Sequence, residues 1–495
     1  MIAPVPTLRV TACNDRPLQP GGGYVLYWMI AHRRTRWSFA LQHAVRRAQE
    51  LGKPLLVLEA LRCDYRWASD RLHRFAIEGM AENARRFEQA GVRYLPYVEP
   101  ERGAGRGLLE ALAARAALVV TDEFPCFFLP RMVAAAAQKV AVRMEQVDAN
   151  GILPLRASEK AYPTAALFRR HFQKVGREHL AAFPLENPLA RAKDLQGASV
   201  PREVSARWKM ASKELLAGEA SALAELPIDH AVPPTAMRGG SAAGEARMDA
   251  FLKDKLARYP DDRNHPDDQG ASGLSPYLHF GHVGVHELVH RVLAGESWTA
   301  ERLLPKPNGS REGWWGLSPA GEGFLDEAIT WREVGYGFCF HRAHDYERFE
   351  SLPEWARATL QKHAQDPRPE HYSRRQLEEA RTHDEIWNAA QRELRREGRM
   401  HNYLRMLWGK KILQWTKDPE VALQTTIELN NRWALDGRNP NSYSGIFWTL
   451  GRFDRPWAPE RPIFGTVRYM SSDSTRKKLH LKRYLATYGA EPSGE

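Results

Sequence analysis

Cysteine is scarce: Cys13, Cys63, Cys126 and Cys339 stand far apart in 495 residues. With no CxxC pair and no neighbouring His at ligand spacing, they support neither a disulfide framework nor a metal centre, and no metal is expected. They read as reduced, mostly buried thiols of a cytoplasmic protein, nucleoid-associated if the source is prokaryotic. No apolar run approaches the ~18 residues of a membrane span, so no membrane partner is expected. Residues 1–23 lack a basic stretch followed by an apolar one, which excludes a visible secretory signal; they read as a flexible tail. No long internal repeat is visible, so solenoids drop out. Hydrophobic residues at 43% and charged residues at 26% exclude a disordered or collagen-like chain.

What the chain does have is tryptophan and positive charge. There are 15 Trp, of which only Trp28, Trp37, Trp67 and Trp208 lie in the first half. The formal net charge is +11, and the pI is about 9.4. A basic balance proposes a polyanionic partner, and clustered indoles propose stacking surfaces or electron relays. Residues 401–495 hold 15 Lys+Arg against 9 Asp+Glu, so much of the charge excess lies beside most of the Trp.

Residues 24–150 alternate short apolar runs with helical stretches. Strands are predicted at Tyr24–Met29, Pro54–Leu58, Arg93–Val98, Ala116–Thr121 and Val142–Val147, with helices such as Ser38–Leu51 and Leu108–Ala114 between them. Five strands with intervening helices imply a parallel, Rossmann-like α/β domain. Gly103, Gly105 and Gly107 superficially resemble a dinucleotide turn, but the pattern is GxGxG and it follows the third strand, so it reads as an ordinary strand-to-helix turn. Residues 151–245, with loop-like Pro/Gly/Ser stretches, read as a long inter-domain connection carrying short helices. Residues 246–495 read as an all-α domain, including Val285–Leu293, Gly323–Phe338, Arg375–Glu397 and Met400–Trp415.

Several segments could carry chemistry. Glu327 and Trp331 are spaced i, i+4, which on an α-helix puts both on one face. A carboxyl beside an indole can hydrogen-bond the edge of a heterocycle while the indole stacks on its plane, and a half-buried structural pair has the same spacing. Trp408 and Trp415 are spaced i, i+7, two turns apart on one face, about 10.5 Å along the axis; Trp387 on the preceding helix could stand between them. Such a stripe is a redox relay only where a redox centre adjoins it, and otherwise core packing. Lys410 and Lys411 lie off the stripe and could face phosphates. Asp436 could pair with Arg405 as a buried salt bridge, stable only with good geometry. Ser272-Gly273-Leu274-Ser275 puts hydroxyls and free backbone N–H groups at a helix start, which suits a phosphate.

Three segments together resemble the photolyase/cryptochrome family, and within it the class II cyclobutane pyrimidine dimer photolyases. They are Leu274-Ser-Pro-Tyr-Leu-His-Phe-Gly281, Thr382-His-Asp-Glu-Ile-Trp-Asn-Ala-Ala-Gln391 and Arg405-Met-Leu-Trp-Gly-Lys-Lys-Ile-Leu-Gln-Trp-Thr416. Leu435-Asp-Gly-Arg-Asn-Pro-Asn-Ser-Tyr443 and Glu460-Arg-Pro-Ile-Phe-Gly-Thr-Val-Arg-Tyr-Met470 extend the likeness. It is dense from Tyr259 to Met470 and weaker over 24–150. The resemblance implies a carbon–carbon lyase, a light-driven, monomeric DNA-repair enzyme. It would hold FAD in the helical domain, flip a dimer from UV-damaged DNA and split it by electron donation from reduced FADH⁻. It assigns Glu327, Trp331, Met406 and Trp448 to the dimer and Trp408, Trp387 and Trp415 to the relay. It assigns Tyr259, Ser272, Gly273, Leu274, Ser275, Arg332, Arg405, Asn430 and Asp436 to the cofactor. For DNA contact, Lys410, Lys411, Arg455, Arg468, Arg476, Lys477 and Lys478 suit phosphates, and Trp457 could insert beside the flipped dimer.

The departures also count. Met29-Ile-Ala-His-Arg-Arg-Thr-Arg-Trp-Ser-Phe39 replaces the usual Arg-Asp and Asp-Asn pattern, so whether a second, antenna chromophore binds is left open. Trp298–Glu322, with Gly313-Trp-Trp315, reads as an insertion that reshapes the substrate mouth, and Gly451–Trp457 reads as one residue shorter than the usual loop. Two alternatives share the flavin site. A cryptochrome-like photoreceptor is disfavoured by the retained dimer residues. Repair of (6-4) photoproducts wants paired active-site histidines; His279, His282 and His401 are available, but none occupies a dimer-contact position.

Overall fold

The apolar runs of the N-terminal third become the strands of one sheet. A computed structural model, which describes residues 1–192 and 195–490, orders them β1-β6-β5-β2-β3-β4. These are β1 (Val10–Ala12), β2 (Tyr24–Met29), β3 (Leu55–Leu61), β4 (Arg93–Val98), β5 (Ala116–Glu123) and β6 (Met144–Asp148). The five predicted strands pair in parallel, while β1 is a sixth that pairs antiparallel with β6, in register Val10↔Val147. The predicted flexible tail is therefore structured: it supplies β1, and Ile2 and Val5 join the sheet's apolar core. Three residues between prolines carry too short an alternation to announce a strand.

The strands read as continuous apolar runs because both faces are covered; β2 and β5 are buried along their whole length. Helix α1 (Phe39–Leu51) begins where the Ser38 side chain accepts from the Leu41 N–H and stops at Gly52, whose φ of 60° is the left-handed cap only glycine adopts cheaply. The glycine turn before the helix Leu108–Ala113 is structural: Gly103 and Gly107 have φ of 82° and 85°, and the Gly105 N–H donates to Glu99 at 3.0 Å. Where strand order reverses, between β2 and β5, an open α/β sheet commonly offers backbone donors to a ligand. Here Asp122 accepts from the N–H groups of Ile30, Ala31 and His32 at 2.8, 2.7 and 2.9 Å.

The chain divides into two compact units, and the division is not sequential. Unit 1 comprises 1–159, 176–249 and 274–292; unit 2 comprises 160–175, 250–273 and 293–495. The predicted connection 151–245 is therefore no linker. Its Leu215, Leu223 and Leu226 close a core with Leu61, Ala76, Ile77, Met80 and Val98, and its short, polar-rich helices concealed that burial. The helix Val285–Gly295 likewise begins in unit 1 rather than in the predicted C-terminal domain. Residues 193–194 of the predicted connection and 491–495 of the predicted helical domain lie outside the described residues. Unit 2 is helical, and no described helix of either unit is long and apolar enough to cross a membrane.

Candidate active site

The Glu327 segment is not a plain α-helix. The predicted helix 323–338 is built from α2 (Pro319–Leu325), a π-helical turn (Asp326–Trp331) and α3 (Arg332–His341). Ser318 caps its start by accepting from the Gly321 N–H. π-turns recur at functional sites because the wider turn re-aims side chains, and this one spans Glu327 and Trp331, both half-buried. The α-helical spacing argument thus assumed the wrong helix type for this pair. Glu327 is held by Arg263 at 2.7 Å, a residue that sequence reasoning missed. The signal was present: Arg263 follows Tyr259 by four, and its guanidinium lies 5.3 Å from the Tyr259 ring centre. Burial raises the Glu327 carboxyl above its ordinary range, against the pull of Arg263.

Helices α4 (Glu385–Glu397) and α5 (Asn402–Trp415) bring the relay candidates together. Asp384 caps α4 by accepting from the Trp387 N–H. The Trp387 and Trp408 rings lie 6.4 Å apart and nearly parallel, at 9°, and Trp387 meets Trp415 edge-on at 5.3 Å. Trp387 donates to the Trp408 carbonyl at 3.0 Å, and Trp408 donates to Gln391 at 2.9 Å. All three indoles are buried, and the Trp387 and Trp408 donors are satisfied inside the core. Gln391 was quoted in a motif but given no role; it fixes the Trp408 ring.

Arg405, one helical turn before Trp408 on α5, pairs with Asp436 at 3.1 Å. The loop carrying Asp436 is locked by Arg438, whose guanidinium donates to the carbonyls of Asn431, Ala434 and Leu435, and by the Ser442 hydroxyl, which donates to the Asp436 carbonyl at 2.7 Å. Asn430, near the end of α6 (Pro419–Trp433), is 1% exposed. The guanidinium of Arg332 lies 4.2 Å from the Tyr336 ring centre. Helix α7 (Pro440–Thr449) is tied to the π-turn's end through Asn441, which donates to the carbonyls of Trp331 and Arg332. Two turns further along α7, Trp448 is half-buried, as is Met406 on α5. A buried amide, an arginine–carboxylate pair and an arginine over a phenol form a donor set that fits a planar polar heterocycle, with a half-buried carboxyl, two indoles and a thioether available to a second.

The phosphate turn is divided. Tyr259, buried, Ser272 and Gly273 belong to unit 2, whereas Leu274 and Ser275 belong to unit 1. Ser275 is the first residue of a one-turn helix that Leu274, buried, precedes without a side-chain cap.

The basic candidates separate by burial. Lys410 is 0% exposed, with its ammonium 5.0 Å from the Trp448 ring centre, and Lys411 is buried against Asp384 at 3.3 Å. Both expectations of phosphate contact are corrected: α5 is enclosed by α4, α6 and α7 on more sides than a half-buried helix would be, so its off-stripe positions also face protein. Arg455, Arg468 and Trp457 do form a basic aromatic edge. Arg468 lies 4.0 Å from the Trp457 ring centre and 5.6 Å from that of Trp448, and Asp454 accepts from both Arg468 and Trp457. Arg476, Lys477 and Lys478 are exposed, Arg476 against Glu385 at 2.7 Å.

One trio among the described residues has donor atoms close enough for a cation: His265, Asp268 and His480. His265 Nδ1 accepts from the His480 backbone N–H at 3.2 Å, and Arg483 lies 3.8 Å from Asp268. These contacts account for the trio as a surface clasp.

No family model matches the chain. A deoxyribodipyrimidine photo-lyase of Methanothermobacter thermautotrophicus is 35% identical over 480 residues, covering 96% of this chain and 97% of its own. Another, of Oryza sativa, is 35% identical over 491 residues, covering 95% and 89%. Among solved structures, a bacterial class III photolyase from Agrobacterium tumefaciens matches with a TM-score of 0.64 at 16% identity, covering 94% of this chain and 86% of its own. A cryptochrome from Synechocystis matches with a TM-score of 0.67 at 14% identity, covering 94% and 87%. At those identities the two structures speak to the fold alone.

Proposed function

The chain belongs to the deoxyribodipyrimidine photo-lyase family, and from that premise we propose that it binds UV-damaged DNA as a monomer and splits cyclobutane pyrimidine dimers with light. The family implies a flavin; here we read it as FAD in its reduced form, FADH⁻. When bound, that group supplies the light-driven electron that opens the cyclobutane ring and receives it back. Arg332, Asn430 and the Arg405–Asp436 pair would hold its ring system, with Tyr259, Ser272 and Gly273 toward its phosphates.

The remaining roles fall to the dimer residues. Burial moves Glu327 toward its protonated form, the form that donates a hydrogen bond to a pyrimidine carbonyl. Arg263 fixes the carboxyl's orientation. Trp331, Trp448 and Met406 offer apolar walls on which a flipped dimer can stack, which offsets part of the few kcal/mol that extrusion costs. Trp408, Trp387 and Trp415 would pass electrons inward to restore the reduced cofactor. Arg455, Trp457 and Arg468, with Arg476, Lys477 and Lys478, are proposed to meet the DNA. The observation that carries the reading is a single helix, α5, bearing Arg405 and Met406 toward the proposed site and Trp408 and Trp415 in the indole stack.

The test is optical. Purified protein should be yellow or blue from flavin, and should restore absorbance to dimer-containing oligothymidine only under blue or near-UV light. Repair in the dark, or protein without flavin, overturns the reading.

A further inference from the structure

The segment 298–322 is built with more care than a surface loop needs. Its base is aromatic: the Trp298 indole donates to the Trp315 carbonyl at 2.8 Å, Trp314 and Trp315 meet at 5.0 Å, and both pack on Phe172. Glu322, on α2, accepts from the backbone N–H groups of Gly313, Trp315 and Gly316. The tip is clamped as well. Gln173 accepts from the Asn308 and Gly309 N–H groups at 3.0 and 2.7 Å and donates to the Ser310 carbonyl at 3.0 Å.

One guanidinium fixes where that tip lies. Arg169 donates to the Gly309 carbonyl at 3.1 Å and to the Asp326 carboxylate at 2.8 and 3.1 Å. Asp326 opens the π-turn and immediately precedes Glu327. The tip is therefore one side chain away from the proposed dimer-binding turn, and all these residues belong to unit 2. Its own cations face outward: Lys306 and Arg311 are exposed. The one acid beside them, Glu312, is 71% exposed and 3.6 Å from Arg311, a surface pair too weak to neutralise the tip. Arg311 is also close enough for its charge to lower the Glu327 carboxyl.

We propose that the 298–322 segment is a DNA-contacting wing, in which Lys306 and Arg311 grip the phosphodiester backbone flanking the flipped dimer from the Glu327 side of the site. The inference rests on the repair reading above and adds a surface to it. Two exposed cations on a clamped tip, beside a turn meant to receive an extruded base, match the phosphates that remain in the backbone when the base leaves the stack. A rigid tip loses little conformational entropy on binding, so its charges count fully.

The test measures dark binding of the flavin-loaded protein to a duplex carrying one thymine dimer, by anisotropy from 50 to 300 mM KCl. Each phosphate contact contributes about 0.9 to the slope of log K against log salt. The doubly neutral variant K306S/R311S should flatten the slope by about two and weaken binding at least fivefold at 100 mM salt. The charge-retaining pair K306R/R311K should keep the wild-type slope. An unchanged slope in the neutral variant overturns the wing, as does an equal loss in the charge-retaining variant, which would trace the effect to loop distortion. Flavin content of each variant controls for folding. Wild-type protein that does not distinguish dimer-containing from undamaged duplex would instead overturn the repair reading.

Discussion

Lys410 puts an ammonium where charge is expensive. Its nitrogen lies inside unit 2 without a hydrogen-bond partner, against the face of Trp448. Burial lowers its pKa to about 7, opposed by Asp454 and reinforced by Arg468. Between about pH 7 and the ordinary lysine value near 10.4 the unfolded chain binds more protons than the folded one, so this residue's cost is full below pH 7 and fades as pH rises. Replacing Lys410 with Met keeps the stem and removes the charge. K410M should therefore be more stable than wild type at pH 6, with the gain shrinking steadily toward pH 9.5 in urea unfolding. A gain that stays constant across that range would show that Lys410 does not titrate in the fold.

Among elements, α4 and α5 form the most legible pair and the most consequential one. The spacing of Trp408 and Trp415 and the position of Trp387 were readable because an i, i+7 stripe on one helix needs no tertiary information. Their stacking depends on Asp384 starting α4 one turn before Trp387, a break that the predicted helix 375–397 ran through: the segment is two helices, Arg374–Glu378 and α4. What could not be read was burial outside the stripe. Lys410 and Lys411 look like solvent residues to any rule based on residue type, and only the packing of α4, α6 and α7 around α5 encloses them. The π-turn was hidden for a different reason: one residue's worth of extra helix changes no apolar period. Likewise β1 was too short to register, and the packing of 176–245 on unit 1 depends on contacts remote in sequence. W387F replaces the central indole with a smaller ring and removes the donor to the Trp408 carbonyl, which keeps its own helix's backbone bond. Photoreduction of the bound flavin should slow at least tenfold, while enzyme reduced chemically beforehand keeps its light-driven repair. Loss of both would contradict the relay.

At the scale of the whole molecule, both units contain histidines that the fold keeps neutral. Burial lowers His73 to about 4 and His282 to about 3 in unit 1, and His401 to about 4 in unit 2. An unfolded histidine titrates near 6.5. Between that value and the depressed folded ones the unfolded chain binds the extra protons, so the stability these residues preserve is complete above pH 6.5 and is lost progressively toward pH 3–4. His282 is the clearest case. Its ring packs on Phe75 at 5.2 Å and Phe280 at 5.8 Å. Its Nδ1 accepts from the Gly240 N–H at 3.0 Å, which leaves the proton on Nε2. That nitrogen faces Gly79, where an added Cβ would come within 2.3 Å, so there is no room for water to solvate a second charge. Gln at 282 can still accept from Gly240 and cannot titrate. H282Q should cost stability at pH 7.5 through imperfect packing, yet lose less than wild type between pH 7.5 and 5, so the two urea midpoints converge as the solution is acidified. Parallel pH profiles would mean that His282 is solvated well enough to protonate in the native state, and that the close fit of the 279–284 turn against the Phe75 helix is looser than drawn.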